Sequence, residues 1–286
     1  MPRARKKQAV AVVTDSTAYL PGGAAEALGV RVVPLQVIIG GVVRAEGSEI
    51  GPDEIASVLA HGHTVSTSRP SPSLFAATYR EAFAAGASSV VSVHLSAAMS
   101  GTVDAARLAA SDVGGDIRVV DSRSVGMGMG FAVLAAAEAA AAGGDVTATL
   151  DVAASTLAKT QTFFYVDTLE FLRRGGRIGA AQALLGSALA VKPLLRVRDG
   201  RIEPLERVRT ASKAIARLQE IAVEAAGDDT VGVAIHHLGA LGRAEALAQA
   251  LDLRLPKLDE LVTTDVGAVV GAHTGPGTLA VVVCTR

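Results

Sequence analysis

The chain has 286 residues, which at roughly 100–200 residues per domain predicts two domains. Half of the residues are hydrophobic but only 3% are aromatic, so we expect a core built from Ala, Val and Leu. The 27 basic and 28 acidic residues leave a net charge of −1, which together with the shortage of aromatic side chains argues against a nucleic-acid-binding protein.

No apolar stretch reaches the roughly 18 residues that a membrane helix needs, so we predict no integral membrane segment. The single cysteine, Cys284, allows no internal disulfide, which fits a reducing compartment, and we predict a cytoplasmic protein. The basic residues at the N-terminus precede an apolar run that is too short for a signal peptide, and we interpret them as a solvated tail.

In the first half of the chain, short runs rich in Val and Ile alternate with Ala-rich stretches of helical pattern. This β–α alternation predicts a parallel sheet covered by helices. We predict strands at 10–14, 31–39, 89–94 and 117–120, with a Gly40-Gly41 turn that leads into a strand at 42–45. We predict helices that end near 28 and that lie at 53–61, 71–85, 100–110 and 130–142.

The second half follows the Gly143-Gly144 pair and a polar helix predicted at 146–159. A hairpin there predicts a mixed sheet, unlike the first half. We therefore predict an N-terminal α/β domain at 8–155 and a C-terminal α/β domain at 156–286. The predicted strands are 163–166, 190–198, 201–208 (joined by an Asp199-Gly200 turn), 231–236, 261–264 and 279–285, and the predicted helices are 211–226 and 240–250.

Serine and threonine residues cluster where predicted strands of the first half give way to helices. In a parallel sheet these points share the carboxyl edge of the strands, where ligands bind. Hydroxyl groups and free helix N–H groups there can bind a carboxylate or a phosphate, although each cluster alone is more often a helix cap. The clusters are Asp15-Ser16-Thr17, Ser66-Thr67-Ser68 with Ser71, the segment from Ser96 to Thr102, and Asp121-Ser122.

The glycine-rich segment 126–130 follows a predicted strand and opens a predicted helix, which resembles a dinucleotide-binding loop. That interpretation also needs an acidic residue at the end of a second strand about 20 residues further on, whereas Asp145 and Asp151 lie in a stretch of helical pattern. The alternative is a backbone that needs freedom to pack a helix against a sheet. A stand-alone nucleotide-dependent transferase therefore stays open as an alternative function.

Basic residues and one histidine mark the second half. Arg173, Arg174 and Arg177 surround two glycines, and Arg209 follows the predicted hairpin. His273 lies in segment 267–277, which is too rich in glycine for us to expect regular structure. A histidine in such a segment is better suited to a functional role than to packing.

Five segments resemble, in order, the signature blocks of the DegV family, and they span nearly the whole chain from Val10. The resemblance implies an α/β fold of two domains, with a parallel sheet in the first, a mixed sheet in the second and a lipid tunnel between them. It implies binding of one long-chain fatty acid. Since we find no nucleotide-binding or metal-binding motif in the chain, we expect no cofactor and no metal of its own. The segments are Asp15-Ser16-Thr17, Thr67-Ser68-Arg69-Pro70-Ser71, 95–102, Arg173-Arg174-Gly175-Gly176-Arg177 and 271–277.

By matching position, the resemblance places the fatty-acid carboxylate against Thr67, Ser68, Ser96 and the Ala97 backbone, with His273 beside it. Ala97 stands where many family members have a serine, so another hydroxyl or a backbone N–H must take over, or the head-group specificity differs. The next departure concerns charge, because Arg69 stands where the family has a glutamine. A cation there favours the ionised carboxylate if its side chain turns inward.

The resemblance also implies a partner. The family's best understood members are the substrate-binding subunit of a bacterial fatty acid kinase, which phosphorylates the bound carboxylate to an acyl phosphate for phospholipid synthesis. We expect this chain to present the carboxylate rather than to act as an enzyme alone, and we assign Arg173, Arg209 and His273 to that presentation. A lipid-responsive regulatory module stays open as a further alternative.

Overall fold

The computed structural model describes residues 9–184 and 192–286, which form an α/β fold with a four-stranded, a six-stranded and a three-stranded sheet. The strands are β1 (Val10–Asp15), β2 (Arg31–Val33), β3 (Gln36–Ile39), β4 (Val42–Ala45), β5 (Val65–Ser68), β6 (Ser89–His94), β7 (Asp116–Asp121), β8 (Thr160–Tyr165), β9 (Lys192–Arg198), β10 (Arg201–Val208), β11 (Val231–His237), β12 (Leu258–Asp265) and β13 (Leu279–Thr285). The helices are α1 (Ala24–Leu28), α2 (Pro52–Ala60), α3 (Pro72–Ala84), α4 (Thr102–Val113), α5 (Met127–Ala141), α6 (Val146–Ala158), α7 (Glu170–Arg174), α8 (Ala211–Ala226), α9 (Leu241–Asp252) and α10 (Ala268–Thr274), with 3-10 turns at Ser16–Ala18 and Gly179–Leu184.

The four-stranded sheet lies in the first half, in the order β2-β1-β6-β7, and its neighbouring strands are parallel. Successive residues of a strand point to opposite faces. Val10 and Val12 accordingly pack with α5, whereas Ala11 and Val13 pack with α3 and α4. Because helices cover both faces, β1 is buried along its whole length, which explains why it begins with four apolar residues in succession.

The six-stranded sheet lies in the second half, in the order β10-β9-β8-β13-β11-β12, and it is mixed as predicted. Only β11 and β12 pair in parallel in this sheet, and its other neighbours are antiparallel. The β9–β10 hairpin turns at Asp199 and Gly200, whose φ angles of 49° and 76° suit a tight two-residue turn. One face, which carries Phe163 and Tyr165, packs on α8 and α9.

Helix α5 lies between the two large sheets and packs on both. Ala132 and Ala136 contact the parallel sheet, while Met127 and Phe131 contact the second face of the mixed sheet. A helix whose opposite sides are both buried has no polar face, which explains the low content of charged residues in α5.

The glycines at the start of α5 allow this close packing. Gly126 has a φ angle of 62°, which favours glycine. A Cβ on Gly128 would lie 2.5 Å from the Thr162 hydroxyl, and a Cβ on Gly130 would lie 2.9 Å from the carbonyl oxygen of Ala18. Close approach of the helix to its neighbours therefore accounts for the glycine pattern of segment 126–130.

The three-stranded sheet, in the order β4-β3-β5, was only partly predicted. The single strand predicted at 31–39 is wrong: Pro34 interrupts the run, and β2 and β3 belong to different sheets. Strand β5 was missed because Ser66, Thr67 and Ser68 have the composition of a helix cap. Here they pair with β3 at the edge of a small sheet, where polar side chains are tolerated.

Other segments differ from the predictions in helix position. A 3-10 turn and the Pro21-Gly22-Gly23 sequence precede α1, so α1 is shorter than predicted. Helix α5 begins three residues earlier than the predicted 130. Segment 267–277 was predicted to be irregular but contains α10, because Gly267 and Gly275 cap the helix and only Gly271 lies inside it. The first two residues of the strand predicted at 190–198 lie outside the described residues.

The predicted division between residues 155 and 156 falls inside α6, which packs on α5, and it stays a prediction. Within residues 9–184 and 192–286, the helices are all too short or too polar to cross a membrane.

The packing of α5 predicts opposite effects for two glycine-to-alanine substitutions. Gly130→Ala should lower the free energy of unfolding by about 1–3 kcal/mol, because the new methyl group meets a backbone oxygen. Gly242→Ala in α9, where a Cβ meets nothing within 4 Å, should leave stability unchanged or raise it by up to about 1 kcal/mol. Urea unfolding of both variants measures the difference, and equal effects would contradict this account of α5.

Candidate ligand-binding site

A cavity lies between the two halves of the chain, with an empty volume of about 950 Å³ including its opening. Neighbouring residues of the mixed sheet form one wall, where Phe164 pairs with Ala280 and Thr162 with Val197. The opposite wall includes Leu35, Leu95, Met99 and Val125. Both walls are mostly apolar, so the cavity suits an aliphatic chain.

Polar side chains gather where β5 meets α10. Thr67 Oγ1 in β5 lies 2.8 Å from His273 Nε2 in α10, and both residues line the cavity. Ser68, Arg69 and Arg177 line the same cavity. We call these five residues the polar cluster. The structure therefore brings together three of the predicted ligand-binding residues, Thr67, Ser68 and His273, although they lie far apart in sequence.

His273 is an uncharged member of the polar cluster. Burial, together with the smaller effect of the nearby Arg177 guanidinium, lowers the pKa of its imidazole to about 4. Its Nδ1 is buried without a hydrogen-bond partner among the described residues. The ring lies directly over Gly175, where any Cβ would collide with it. The ring is therefore placed to accept or donate a hydrogen bond but not to supply positive charge.

A buried carboxylate holds α10 in position. Glu46 Oε1 accepts hydrogen bonds from the Val269 N–H at 2.7 Å and from the Tyr19 hydroxyl at 3.1 Å, and Ser16 donates to Oε2. Tyr19 in turn accepts a hydrogen bond from the Val270 N–H. Burial raises the pKa of Glu46. Sequence reasoning missed this role, because nothing distinguishes a lone glutamate after a hairpin from a solvated one.

Two arginines supply the positive charge of the polar cluster. The Arg177 side chain donates hydrogen bonds to the carbonyl oxygens of Met99 and Gly175. The Arg69 guanidinium lies over Gly101, so close that a Cβ there would collide with it. The expected role of Arg69 required its side chain to turn inward. Arg69 does line the cavity, so this condition is met. An ionised head group would meet both cations.

Ser96 and Ala97 do not line the cavity. The Ser96 hydroxyl is buried and donates to the Gly200 carbonyl oxygen at 2.7 Å, which ties the first half to the β9–β10 turn. The Ala97 N–H donates to Asp121 Oδ1 at 3.1 Å. The neighbouring Ser100 does line the cavity, and its hydroxyl lies 2.9 Å from that of Thr102. The structure thus brings Ser100 to the cavity where the sequence pointed to Ser96.

The side chains of the Asp15-Ser16-Thr17 cluster form hydrogen bonds within the protein. Asp15 Oδ2 accepts the Leu95 N–H and lies 3.0 Å from His94 Nδ1, while His94 Nε2 lies 2.7 Å from the Ser92 hydroxyl. This hydroxyl–imidazole–carboxylate order is also that of hydrolase triads. Asp15, His94 and Ser92 are all 0% exposed, so no substrate reaches them and the network is structural.

The two arginines predicted to face a partner differ from each other. Arg173 in α7 donates two hydrogen bonds to Glu170, at 2.8 and 2.7 Å, and its side chain is 53% exposed. Arg174 also donates to Glu170, and the two arginines lower the pKa of that carboxyl to about 2. Arg209 follows β10 and is exposed. A partner that binds Arg173 must therefore compete with Glu170.

The N-terminus of α5 is occupied by a side chain of the mixed sheet. The Met127 N–H donates to His236 Nε2 at 2.9 Å, and His236 Nδ1 lies 2.8 Å from the Thr264 hydroxyl. Since Nε2 accepts, the imidazole proton is on Nδ1 and is donated to Thr264. Burial lowers the pKa of His236 to about 4. The helix terminus that a dinucleotide would need is thus covered, which disfavours the nucleotide alternative.

Comparison with known proteins extends over both halves of the chain. A family model described as an uncharacterised protein of the DegV family matches residues 9–286. A DegV domain-containing protein of Streptomyces coelicolor is 57% identical over 277 residues, which cover 97% of this chain and 99% of that protein. A DegV domain-containing protein of Mycobacterium tuberculosis is 40% identical over 275 residues, with 96% of each chain covered.

Solved structures match equally widely. A DegV family protein from Thermus thermophilus, described for its fatty acid binding, superposes with a TM-score of 0.92 at 37% identity and covers 97% of this chain and 99% of its own. DegV from Bacillus subtilis, described as a fatty acid binding protein, has a TM-score of 0.89 at 33% identity, with 98% and 100% of the two chains covered. The predicted α/β fold class is confirmed.

Because these two imidazoles are buried, we expect the free energy of unfolding to decrease as the pH is lowered. His273 and His236 have folded-state pKa values of about 4, against 6.5 for the ordinary side chain. Between these values the unfolded chain binds the proton and the folded chain does not. As the pH falls through this window, each imidazole should therefore lower the free energy of unfolding by on the order of 3 kcal/mol.

NMR titration of the ligand-free protein measures the His273 pKa directly. Urea unfolding at several pH values should show a shallower loss of stability for His273→Gln than for the unmodified chain. A His273 midpoint near 6.5 would contradict a buried, neutral imidazole.

Proposed function

We propose that this chain, which belongs to the DegV family, binds one long-chain fatty acid and presents its carboxylate to a fatty acid kinase. The observation that carries the proposal is an apolar cavity between the two halves that includes the Thr67–His273 contact and two cations. Relatives from Thermus thermophilus and Bacillus subtilis that are described as fatty acid binding support it. The chain acts as a substrate-binding subunit and not as an enzyme alone.

The polar cluster binds the carboxylate. In the Nε2–H tautomer, His273 donates to the Thr67 oxygen 2.8 Å away, and the Thr67 hydroxyl proton is then free for a carboxylate oxygen. Ser68 lines the cavity with its hydroxyl donating to Gln36 Oε1 at 3.0 Å, and Arg69 and Arg177 offset the negative charge. A carboxylate that leaves water needs such partners, because burying it unpaired is strongly unfavourable.

The acyl chain lies against the apolar walls. Transfer of about 14 methylenes at ~0.8 kcal/mol each provides ~11 kcal/mol. Loss of translational and rotational freedom offsets several kcal/mol of this, which leaves room for tight binding. The kinase supplies the nucleotide and the metal, and this chain needs no cofactor of its own. A carboxylate oxygen attacks the γ-phosphorus of ATP held by the kinase, which yields the acyl phosphate and ADP.

Arg173 and Arg209 present the site to the kinase. Both are exposed arginines of the second half, and α7, which carries Arg173, packs beside α10, which carries His273. A position beside the polar cluster lets the same partner meet Arg173 and the head group. Electrostatic pairs at such a contact orient the partner and raise the association rate.

The purified protein should carry about one fatty acid per chain, since the polar cluster offers a position for one carboxylate at the end of the apolar cavity. Native mass spectrometry gives the stoichiometry, and extraction followed by chromatography identifies the acid. A chain that purifies empty and takes up no saturated or unsaturated long-chain acid would overturn the proposal.

Head-group variants separate the roles within the polar cluster. Thr67→Val should weaken fatty-acid affinity about tenfold or more, because one hydrogen bond to a charged group contributes about 1.5–3 kcal/mol. Arg69→Gln should weaken it by up to about fivefold, and less at high salt, since exposed ion pairs contribute about 0.2–1 kcal/mol. Arg80→Gln, an exposed arginine on α3 outside the cavity lining, is the matched control and should bind normally.

Presentation is tested with the kinase and ATP. Arg173→Ala and Arg209→Ala should retain lipid and thermal stability, while acyl-phosphate formation falls by about tenfold or more, as expected when a charged contact to the partner is lost. Arg254→Ala, another exposed arginine, should keep full turnover. Turnover that stays unchanged in both variants would refute the docking role and leave the lipid-binding proposal standing.

A further inference from the structure

Gly175 ends α7 directly against the His273 imidazole. A Cβ at this position would overlap His273 Nδ1 and would lie 2.8 Å from Cε1, so the ring occupies the space of a side chain. The backbone does not need a glycine there, because its φ and ψ angles of −74° and −8° are open to residues with a side chain. Gly176 shows the opposite pattern, with a φ angle of 69° and open space around a Cβ. The absent side chain of Gly175 therefore serves the position of His273.

Helices α7 and α10 meet through this contact and through a second one of the same kind. Phe171 of α7 lies over Gly275, which ends α10, so closely that a Cβ at Gly275 would overlap the Phe171 ring. Each helix thus places an aromatic ring on the terminal glycine of the other. The two contacts together hold the His273 ring against Gly175.

The peptide groups beside His273 Nδ1 are already hydrogen-bonded. The Gly175 N–H donates to the Phe171 carbonyl oxygen at 2.9 Å, and the Gly175 carbonyl oxygen accepts from Arg177 Nη1 at 2.6 Å. Nδ1 is buried and has no hydrogen-bond partner among the described residues. A buried N–H without an acceptor is rarer in proteins than a buried acceptor without a donor, so the proton of the neutral ring is on Nε2.

The place of this proton decides what Thr67 offers to a ligand. His273 Nε2 lies 2.8 Å from Thr67 Oγ1, and within residues 9–184 and 192–286 this is the one hydrogen bond of the Thr67 hydroxyl. When Nε2–H donates, the Thr67 O–H is left to donate to another acceptor, and Thr67 lines the cavity. With the proton on Nδ1 the direction would reverse, and Thr67 would donate its proton to the imidazole.

We infer that Gly175 is a positioning residue of the head-group site: it holds the His273 imidazole with its proton on Nε2, which leaves the Thr67 hydroxyl proton for the ligand. This inference rests on the proposed function and deepens it. It assigns the direction of the hydrogen bond that the carboxylate accepts, and a carboxylate can only accept. Gly175 acts through His273 and needs no contact with the ligand of its own.

Nitrogen NMR shifts of His273 in the ligand-free protein report the tautomer, because protonated and unprotonated imidazole nitrogens differ in shift. A spectrum of His273→Gln assigns the signals. The unmodified protein should carry the proton on Nε2. Gly175→Ala should displace the ring, change these shifts and weaken fatty-acid affinity about tenfold, as for Thr67→Val, because the same hydrogen bond to the carboxylate is lost.

Gly176→Ala is the matched control, since Gly176 lies outside the cavity lining and its Cβ meets nothing within 4 Å. Its positive φ angle strains an alanine, so thermal stability should fall. Fatty-acid affinity should stay within about twofold, and the His273 shifts should stay unchanged. A loss of affinity in this variant as large as in Gly175→Ala would mean that stability alone governs binding, which contradicts the inference.

A double-mutant cycle separates the positioning of His273 from a general loss of structure. His273→Ala removes the ring that a Cβ at Gly175 would overlap. In the His273→Ala background, Gly175→Ala should therefore change fatty-acid affinity by less than about twofold. The double variant lacks the steric conflict, so this comparison and the shifts of the unmodified protein test the inference even if Gly175→Ala alone does not fold.

Three further results would overturn the inference: a proton on Nδ1 in the unmodified protein, full affinity in a folded Gly175→Ala variant, or a tenfold loss in the His273→Ala background as well. Failure of the proposed function has a different signature. A protein that takes up no fatty acid would overturn that function, while a proton on Nε2 that moves in Gly175→Ala would still support the role of Gly175 toward His273.

Discussion

Helix α10 joins the end of the chain to its beginning through the buried carboxylate of Glu46. This carboxylate accepts hydrogen bonds from Val269 in the first turn of α10 and from the hydroxyls of Ser16 and Tyr19. Burial raises its pKa, while the hydrogen bonds from these donors offset part of the cost of removing the carboxylate from water. At the other end of the helix His273 meets Thr67, and the polar cluster exists only while this arrangement holds.

Further contacts fix the spacing of the two halves. The Ser96 hydroxyl bonds to the Gly200 carbonyl oxygen, and the Arg177 side chain bonds to that of Met99. Helix α5 fills part of the gap between the two large sheets, and the cavity occupies another part of it. The cavity is therefore a property of the junction between the halves, since each of its walls comes from a different part of the chain.

Charge is divided within the polar cluster in a way that suits a buried anion. Burial keeps the His273 imidazole neutral, so it orients a hydrogen bond without adding charge. The positive charge comes from the guanidinium groups of Arg69 and Arg177. Both arginines are exposed, and the Arg177 side chain is also held by hydrogen bonds to two backbone carbonyls.

Local patterns in the sequence determined the α/β class, the mixed second sheet and most of the elements, because period and turn chemistry are local properties. Helix α8 and strand β13 have the predicted bounds, and the Asp199-Gly200 turn has the predicted geometry. The five family blocks identified the family and pointed to Thr67, Ser68 and His273. Local patterns failed where pairing decides the structure, as in β5, whose serines and threonines have the composition of a helix cap.

Only the tertiary structure decided which polar residues share a site. The Ser96 hydroxyl bonds to Gly200, and Ser100 lines the cavity instead. Arg69 lines the same cavity, and Glu46 is buried against α10. These outcomes depend on contacts between residues up to 223 positions apart. The free energy of a buried polar group is set by the partners that surround it after folding, and a sequence specifies the side chain but does not display those partners.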